Sequence, residues 1–363
     1  MIALASSRTN DGRRTVRRGF IIALVVVTLT AFSLGTGFAF SAFQLLVQTD
    51  ATLRDLIAFK QIRQRASQGY DVREARAKWL ESISAYQTRQ FIKADGLANN
   101  ALAVLKQSKK VGYRIYYTSS GDIKVSGLVF KPTRGGAPWP TVVAHHPGFG
   151  EAADFSDVAL SFRDHGYLAF CPDYRGSGKS EGKPELAKGE VDDVINGILY
   201  LKSKGLIDDN RIGLFGQSHG AAVAMIVAGR YPEVKAVVEA AGFTDLASAY
   251  EYHTKKLSDL KIKKMLMSYY SVIGGTPEEV PQEYAVRSAV NYVNSIQAPI
   301  LIFHGAKDPI VPVSQAEEMY QALRNAGKTV EMKIYPNEGH GVSDPRAQLE
   351  LWQMTFSWFE KYI

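Results

Sequence analysis

A five-residue turn constrains this chain more than any other feature. Gly216-Gln217-Ser218-His219-Gly220 closes the apolar strand Ile212-Gly213-Leu214-Phe215 and opens a run of small residues, Ala221 to Ala228, suited to a buried helix. A serine flanked in this way sits on a sharp strand-to-helix turn that presents its hydroxyl above a sheet, and the glycines permit the tight backbone. Glycine and serine also recur together in loops for local reasons, so the pentapeptide counts for little without its strand and its helix.

Two later segments supply what a serine nucleophile needs. Pro299-Ile300-Leu301-Ile302-Phe303-His304 reads as a buried strand, and Gly305-Ala306-Lys307-Asp308 followed by Pro309-Ile310-Val311-Pro312 sets Asp308 just past its end. Val330 to Tyr335 alternates like another strand, Pro336 breaks it, and Asn337-Glu338-Gly339-His340-Gly341 makes a glycine-flanked loop before the last helix. The order Ser, Asp, His, with acid and base each on a loop after a late strand, is that of an α/β-hydrolase triad.

A serine hydroxyl is a poor nucleophile near neutral pH until a base takes its proton. His340 is expected to be that base and then the acid to the leaving group, with Asp308 fixing the imidazole tautomer. The developing oxyanion needs backbone donors: the N–H of His219, next to the nucleophile, and one from the loop after the third strand, where Thr141 to His146 runs into Pro147-Gly148-Phe149-Gly150. Phe149 is the expected second donor.

From about Val111 to the C-terminus the chain resembles an α/β-hydrolase of the prolyl-oligopeptidase type. Ser126-Gly127-Leu128-Val129-Phe130-Lys131-Pro132 is similar to that family's entry hairpin, and Asp173-Tyr174-Arg175-Gly176-Ser177-Gly178 to the turn after its fourth strand. The run from Pro299 to Gly341 carries the likeness furthest. The resemblance implies a mostly parallel central sheet with helices on both faces and a cofactor-free serine hydrolase, tending toward a peptidase. The chain departs from the family at three points. His146-Pro147-Gly148-Phe149-Gly150 stands where its peptidases show His-Gly-Gly-Pro and is closer to the loop of esterases and lipases, Ala221 replaces a common glycine, and the residues before Val111 have a helical pattern instead of a β-propeller's.

At 363 residues with 46% hydrophobic content, the chain can hold one hydrolase domain, 111–363, and an appendage. The net charge of +7 draws heavily on Arg8, Arg13, Arg14, Arg17 and Arg18, so it implies no nucleic-acid partner. These arginines precede a charge-free stretch, Gly19 to Thr49, densely apolar from Phe20 to Leu34 and longer than the core of a typical signal peptide. Residues 1–49 are therefore expected to form a basic tail and a transmembrane anchor, with the N-terminus cytosolic and the hydrolase extracytoplasmic. The alternative is a cleaved export signal, since Arg17-Arg18-Gly19-Phe20-Ile21 resembles a twin-arginine motif and Ala39-Phe40-Ser41 suits a cleavage site.

Residues 50–110 show helical spacing and read as a helical stalk. An insert at 242–290, after the sixth strand, carries Tyr250, Tyr252, Met265, Met267, Tyr269 and Tyr270 and is cap-like: core packing and a lid over the site are equal readings of it. His145 and His146 are adjacent at a strand end and point apart, no His/Cys cluster has zinc spacing, and neither a metal nor a cofactor is expected. His304, before the Gly305 turn, reads as structural. Cys171 is the only cysteine and reads as a packed core thiol. The expected substrate is a short peptide or a small ester. A catalytically silent module tethered to the membrane is the contrasting possibility, because fold does not fix function.

Overall fold

A computed structural model describes residues 36–148 and 150–363. Two units divide them. One takes in the chain up to Ile62 together with Arg73–Gln107, the other Arg63–Val72 and Ser108–Ile363.

The first unit is helical. α1 (Thr36–Ser67) begins it, followed by α2 (Arg73–Gln87) and α3 (Phe91–Gln107). No glycine or proline interrupts the sequence from Phe38 to Ser67, so α1 runs unbroken through the expected boundary at position 49. Small residues let these helices approach closely: Ala51, Ala58, Ala75, Ala94, Ala98 and Ala101 are all buried. Phe59 stacks on Trp79 at 5.1 Å, and Arg54 pairs with Asp95 at 2.7 Å. The expected anchor falls mainly on residues 1–35, which lie outside the described residues; among those described, no helix is long and apolar enough to cross a membrane.

The second unit is an eight-stranded sheet in the order β1-β2-β4-β3-β5-β6-β7-β8. The strands are β1 (Tyr113–Thr118), β2 (Lys124–Phe130), β3 (Trp139–His145), β4 (Leu168–Asp173), β5 (Ile207–Gln217), β6 (Val234–Ala240), β7 (Ile300–Gly305) and β8 (Val330–Tyr335). The opening hairpin pairs antiparallel with itself and with β4, and every other pairing is parallel. Parallel strands are covered on both faces, which is why the inner ones read as continuous apolar runs.

Alternation still sorts their side chains. Val143, Phe170, Leu214, Val237 and Ile302 pack on one face against α5 (Gly189–Ser203), α6 (His219–Arg230) and α10 (Ser314–Asn325). Val142, Ala169, Phe215, Val238 and Phe303 face the other way, toward α4 (Ser156–Asp164) and α11 (Pro345–Tyr362). Cys171 is buried in this second layer on β4, and burial pushes its thiol pKa up, away from the nucleophilic thiolate.

Between β6 and β7 the 242–290 insert folds as α7 (Leu246–Lys255), α8 (Leu260–Tyr270) and α9 (Pro281–Ala285). Asp245 and Asp259 cap the first two, each accepting two backbone N–H groups of the opening turn. Buried Gln315 on α10 ties the insert down, taking the N–H groups of Thr244 and Asp245 at 2.7 and 2.8 Å.

Candidate active site

Ser218 stands at the end of β5 with φ 55 and ψ −122, a left-handed conformation that costs a non-glycine residue of order 1–3 kcal/mol. Its surroundings hold it there. The Ser218 N–H donates to the Ala240 carbonyl at 2.8 Å, and both flanking glycines are obligatory. A Cβ at Gly216 would lie 2.4 Å from the Gly220 carbonyl oxygen, and one at Gly220 would lie 2.3 Å from that of His145.

The loops after β7 and β8 are packed together by another glycine. A Cβ at Gly305 would meet the Gly339 carbonyl at 2.2 Å, and the Lys307 N–H donates to the Glu338 carbonyl at 2.9 Å. This contact sets Asp308 beside His340. The Ser218 hydroxyl donates to His340 Nε2 at 2.9 Å, and His340 Nδ1–H donates to Asp308 Oδ2 at 2.8 Å. Asp308 Oδ1 accepts the N–H groups of Ile310 and Val311 at 2.8 and 2.9 Å. Burial alone would raise the Asp308 pKa, but bonds from His304, His340 and the Val311 N–H outweigh it and bring it to about 2. It is thus a carboxylate across the working pH range.

The backbone N–H of His219 lies in the first turn of α6, where helix geometry leaves donors free for a ligand. Phe149, the expected second donor, lies outside the described residues. Its neighbours Pro147 and Gly148 line the cavity in front of Ser218. The His219 ring is buried edge-on against Tyr174 and Tyr269, and burial, with His146 nearby, lowers its pKa to about 3, so it is neutral.

That cavity measures about 290 Å³ and is mainly apolar. Met265, Leu266 and Tyr269 of the insert form one wall, and Phe243, Ile310 and Val311 another. A second space of about 400 Å³ adjoins it across Leu186, His219 and Tyr269, and is more polar, with Glu151, Arg175 and Glu190 on its walls. Leu186 went unnoticed in the sequence. It sits at φ 55 with Ala187 at φ 63, and this strained pair brings it to both cavities.

The other histidines divide by environment. His145 is buried within 3.3 Å of the Tyr174 hydroxyl, and His146 lies tilted against the same ring at 4.3 Å, so the adjacent pair turns to a shared neighbour instead of pointing apart. The backbone leaves its strand path after His145, where β3 ends, and that removes the expected alternation. His253 is buried on α7, bonded to the Tyr270 hydroxyl and to the Ile310 carbonyl, and pins the insert to the Asp308 loop. Asp173 pairs with Arg114, and Arg175 with Asp193 and Glu185, as turn charges require. Among the described residues no three His, Cys, Asp or Glu side chains converge on a metal site.

The fold and this constellation define a serine hydrolase of the α/β-hydrolase superfamily. The chain belongs to the prolyl oligopeptidase family, whose model matches residues 153–363. The acetyl xylan esterase family model matches residues 99–200. Among relatives, the uncharacterized peptidase YtmA of Bacillus subtilis is 30% identical over 63% of this chain and 85% of its own length. Acylamino-acid-releasing enzyme 1 of Oryza sativa is 24% identical over 65% of this chain but only 32% of its own.

Solved structures share the fold. A puromycin-hydrolyzing peptidase of Mycobacterium tuberculosis superposes with a TM-score of 0.61 at 21% identity, over 69% of this chain and 39% of that one. An esterase of Pyrococcus furiosus gives 0.55 at 21% identity, over 69% of this chain and 91% of that one.

Proposed function

We propose that Ser218, His340 and Asp308 are the catalytic triad of an acyl hydrolase acting on short peptides. The observation that carries this reading is the hydrogen-bonded line from Ser218 through His340 to Asp308, opening on an apolar cavity of about 290 Å³. His340 takes the hydroxyl proton as Ser218 attacks the scissile carbonyl, and the tetrahedral oxyanion forms against the His219 N–H, with the loop holding Phe149 as the source of the second donor. On collapse His340 gives that proton to the departing amine or alcohol, leaving an acyl-enzyme that water clears by the same steps. No cofactor enters.

Carboxylesterase activity is the second reading. It is favoured by the esterase-like run His146 to Gly150, which lies inside the segment matched by the acetyl xylan esterase model. Full-length protein assayed in parallel on p-nitrophenyl esters and on aminoacyl and prolyl p-nitroanilides separates the two. Turnover of the anilides supports the peptidase, and turnover of esters alone selects the esterase.

The insert is the source of selectivity in this reading. Tyr269 and Met265 present apolar surface to the acyl group, so Tyr269→Ser should reduce kcat/KM for a long-chain p-nitrophenyl ester about 10-fold more than for the acetate, as remote binding energy does. An equal fall for both esters would make the insert a purely structural support.

We also propose that residues 1–49 anchor the chain in a membrane with the hydrolase outside the cytoplasm, supported by the five arginines before the charge-free stretch. Full-length protein should then stay with membranes through carbonate extraction. A mature N-terminus near residue 40 would instead identify a cleaved export signal.

A further inference from the structure

β6 and β7 carry a buried acid and a buried histidine close to the site. Their register sets Glu239 beside Ile302 and Ala240 beside Phe303, so His304, two residues past Ile302, projects from the same face of the sheet as Glu239. Glu239 is completely buried and His304 is 1% exposed. Each keeps one polar atom without a hydrogen bond, Oε1 of Glu239 and Nδ1 of His304.

Their other atoms are engaged. Glu239 Oε2 accepts the Gly242 N–H at 3.0 Å, and His304 Nε2–H donates to the Val311 carbonyl at 2.9 Å. The same Nε2 lies 3.4 Å from Asp308 Oδ2, the oxygen that receives His340 Nδ1–H. The imidazole therefore lies against the carboxyl group that orients His340, while Glu239 stands on the same face of the neighbouring strand without a hydrogen bond or ion pair to it.

A neutral His304 that donates from Nε2 leaves a buried lone pair at Nδ1 without a donor, and an unsatisfied buried atom is unfavourable. Burial pulls the His304 pKa down, but the bond to Asp308 and the field of Glu239 outweigh it, so it is raised. Burial pushes Glu239 up to about 7, against the pull of His304 and the Gly242 N–H. The other titratable groups facing Asp308 are His340 and His253, and His253 is held by the Ile310 carbonyl, with its own pKa lowered by burial.

We propose, on the triad reading above, that His304 is a positioning residue of the reaction. Held as an imidazolium against Asp308, in the field of the buried Glu239, it keeps the Asp308 carboxylate turned to His340 and offsets part of the negative charge that His340 meets. Ser218, His340 and Asp308 thus continue inward to His304, on which Glu239 acts through its charge.

His304→Gln tests this, because the amide can still donate to the Val311 carbonyl but carries no charge. With Asp308 less compensated, a histidine beside it keeps its proton to higher pH, so the acid limb of kcat/KM on a p-nitrophenyl ester should move up by about half a pH unit or more. Glu239→Gln should move the limb the same way, and the double variant no further than His304→Gln alone. In the imidazole N–H spectrum of the full-length protein, His304 should lose its second proton at lower pH in Glu239→Gln than in wild type. That measurement stands if His304→Gln does not fold.

Profiles that superimpose on wild type, with only the melting temperature changed, would reduce both residues to packing and overturn the proposal. A limb moving to lower pH would overturn the charge assignment. Ser218→Ala in the same assay separates the two layers: if it turns over like wild type, the triad reading falls and takes this inference with it. If it is inert while His304→Gln keeps the wild-type profile, the inference alone fails.

Discussion

Ser218→Ala should abolish hydrolysis of esters and anilides alike, with kcat/KM falling on the order of 10⁴-fold or more. The fold should survive. Alanine has the same Cβ at φ 55, and the turn is held by the Ser218 N–H bond to Ala240 and by the flanking glycines, none of which involves the hydroxyl. What disappears is the oxygen 2.9 Å from His340 Nε2. Fluorophosphonate labelling reads this directly, since it needs an activated serine and no knowledge of the natural substrate. An alanine variant that still labels would show that another serine is the nucleophile.

Asp308→Asn and His340→Ala should each cost a comparable factor, on the order of 10³–10⁴ or more in kcat, for different reasons. Loss of His340 removes the base outright. Loss of the Asp308 charge keeps the size of the side chain, but an amide can present its N–H₂ to His340 Nδ1, which favours the wrong tautomer at Nε2. Members of a triad act as a unit, so either change combined with Ser218→Ala should add little. Additive losses in the double variants, measured by single-turnover kinetics on one ester, would show that the residues act independently.

The two predictions draw on features of unequal visibility. The elbow is local, because its glycines are required by backbone atoms a few residues away or on the next strand, and such constraints are written in the motif itself. The sheet is nearly as visible, since strands buried on both faces must be continuous apolar runs, as Val142 to Ala144, Leu168 to Cys171 and Ile300 to Phe303 are. The loops carrying Asp308 and His340 follow from where those runs stop. Helical spacing after residue 50 is likewise carried by α1, α2 and α3, although the end of the charge-free stretch at 49 does not end a helix and α1 passes through it.

Other relations depend on which elements become neighbours. The insert's aromatic and Met residues have the same spacing whether they fill a core or wall a pocket, and only the packing of α8 over Ser218 sets Met265 and Tyr269 on the cavity. The sequence predicts that His145 and His146 diverge, but β3 ends between them and both turn to Tyr174, which lies in the turn after β4. Glu239 and His304 are the clearest case. Each is a buried polar residue in a largely apolar strand, 65 positions apart by their numbers, and nothing in either strand mentions the other. Sequence by itself determined what depends on short-range sterics and on solvent exclusion along a single element: the turn at Ser218, the strand runs and the order Ser, Asp, His of the proposed triad. Tertiary structure decided the pairings, because the register of β6 on β7 and the seating of the insert come from burying many side chains at once, and no single segment encodes that sum.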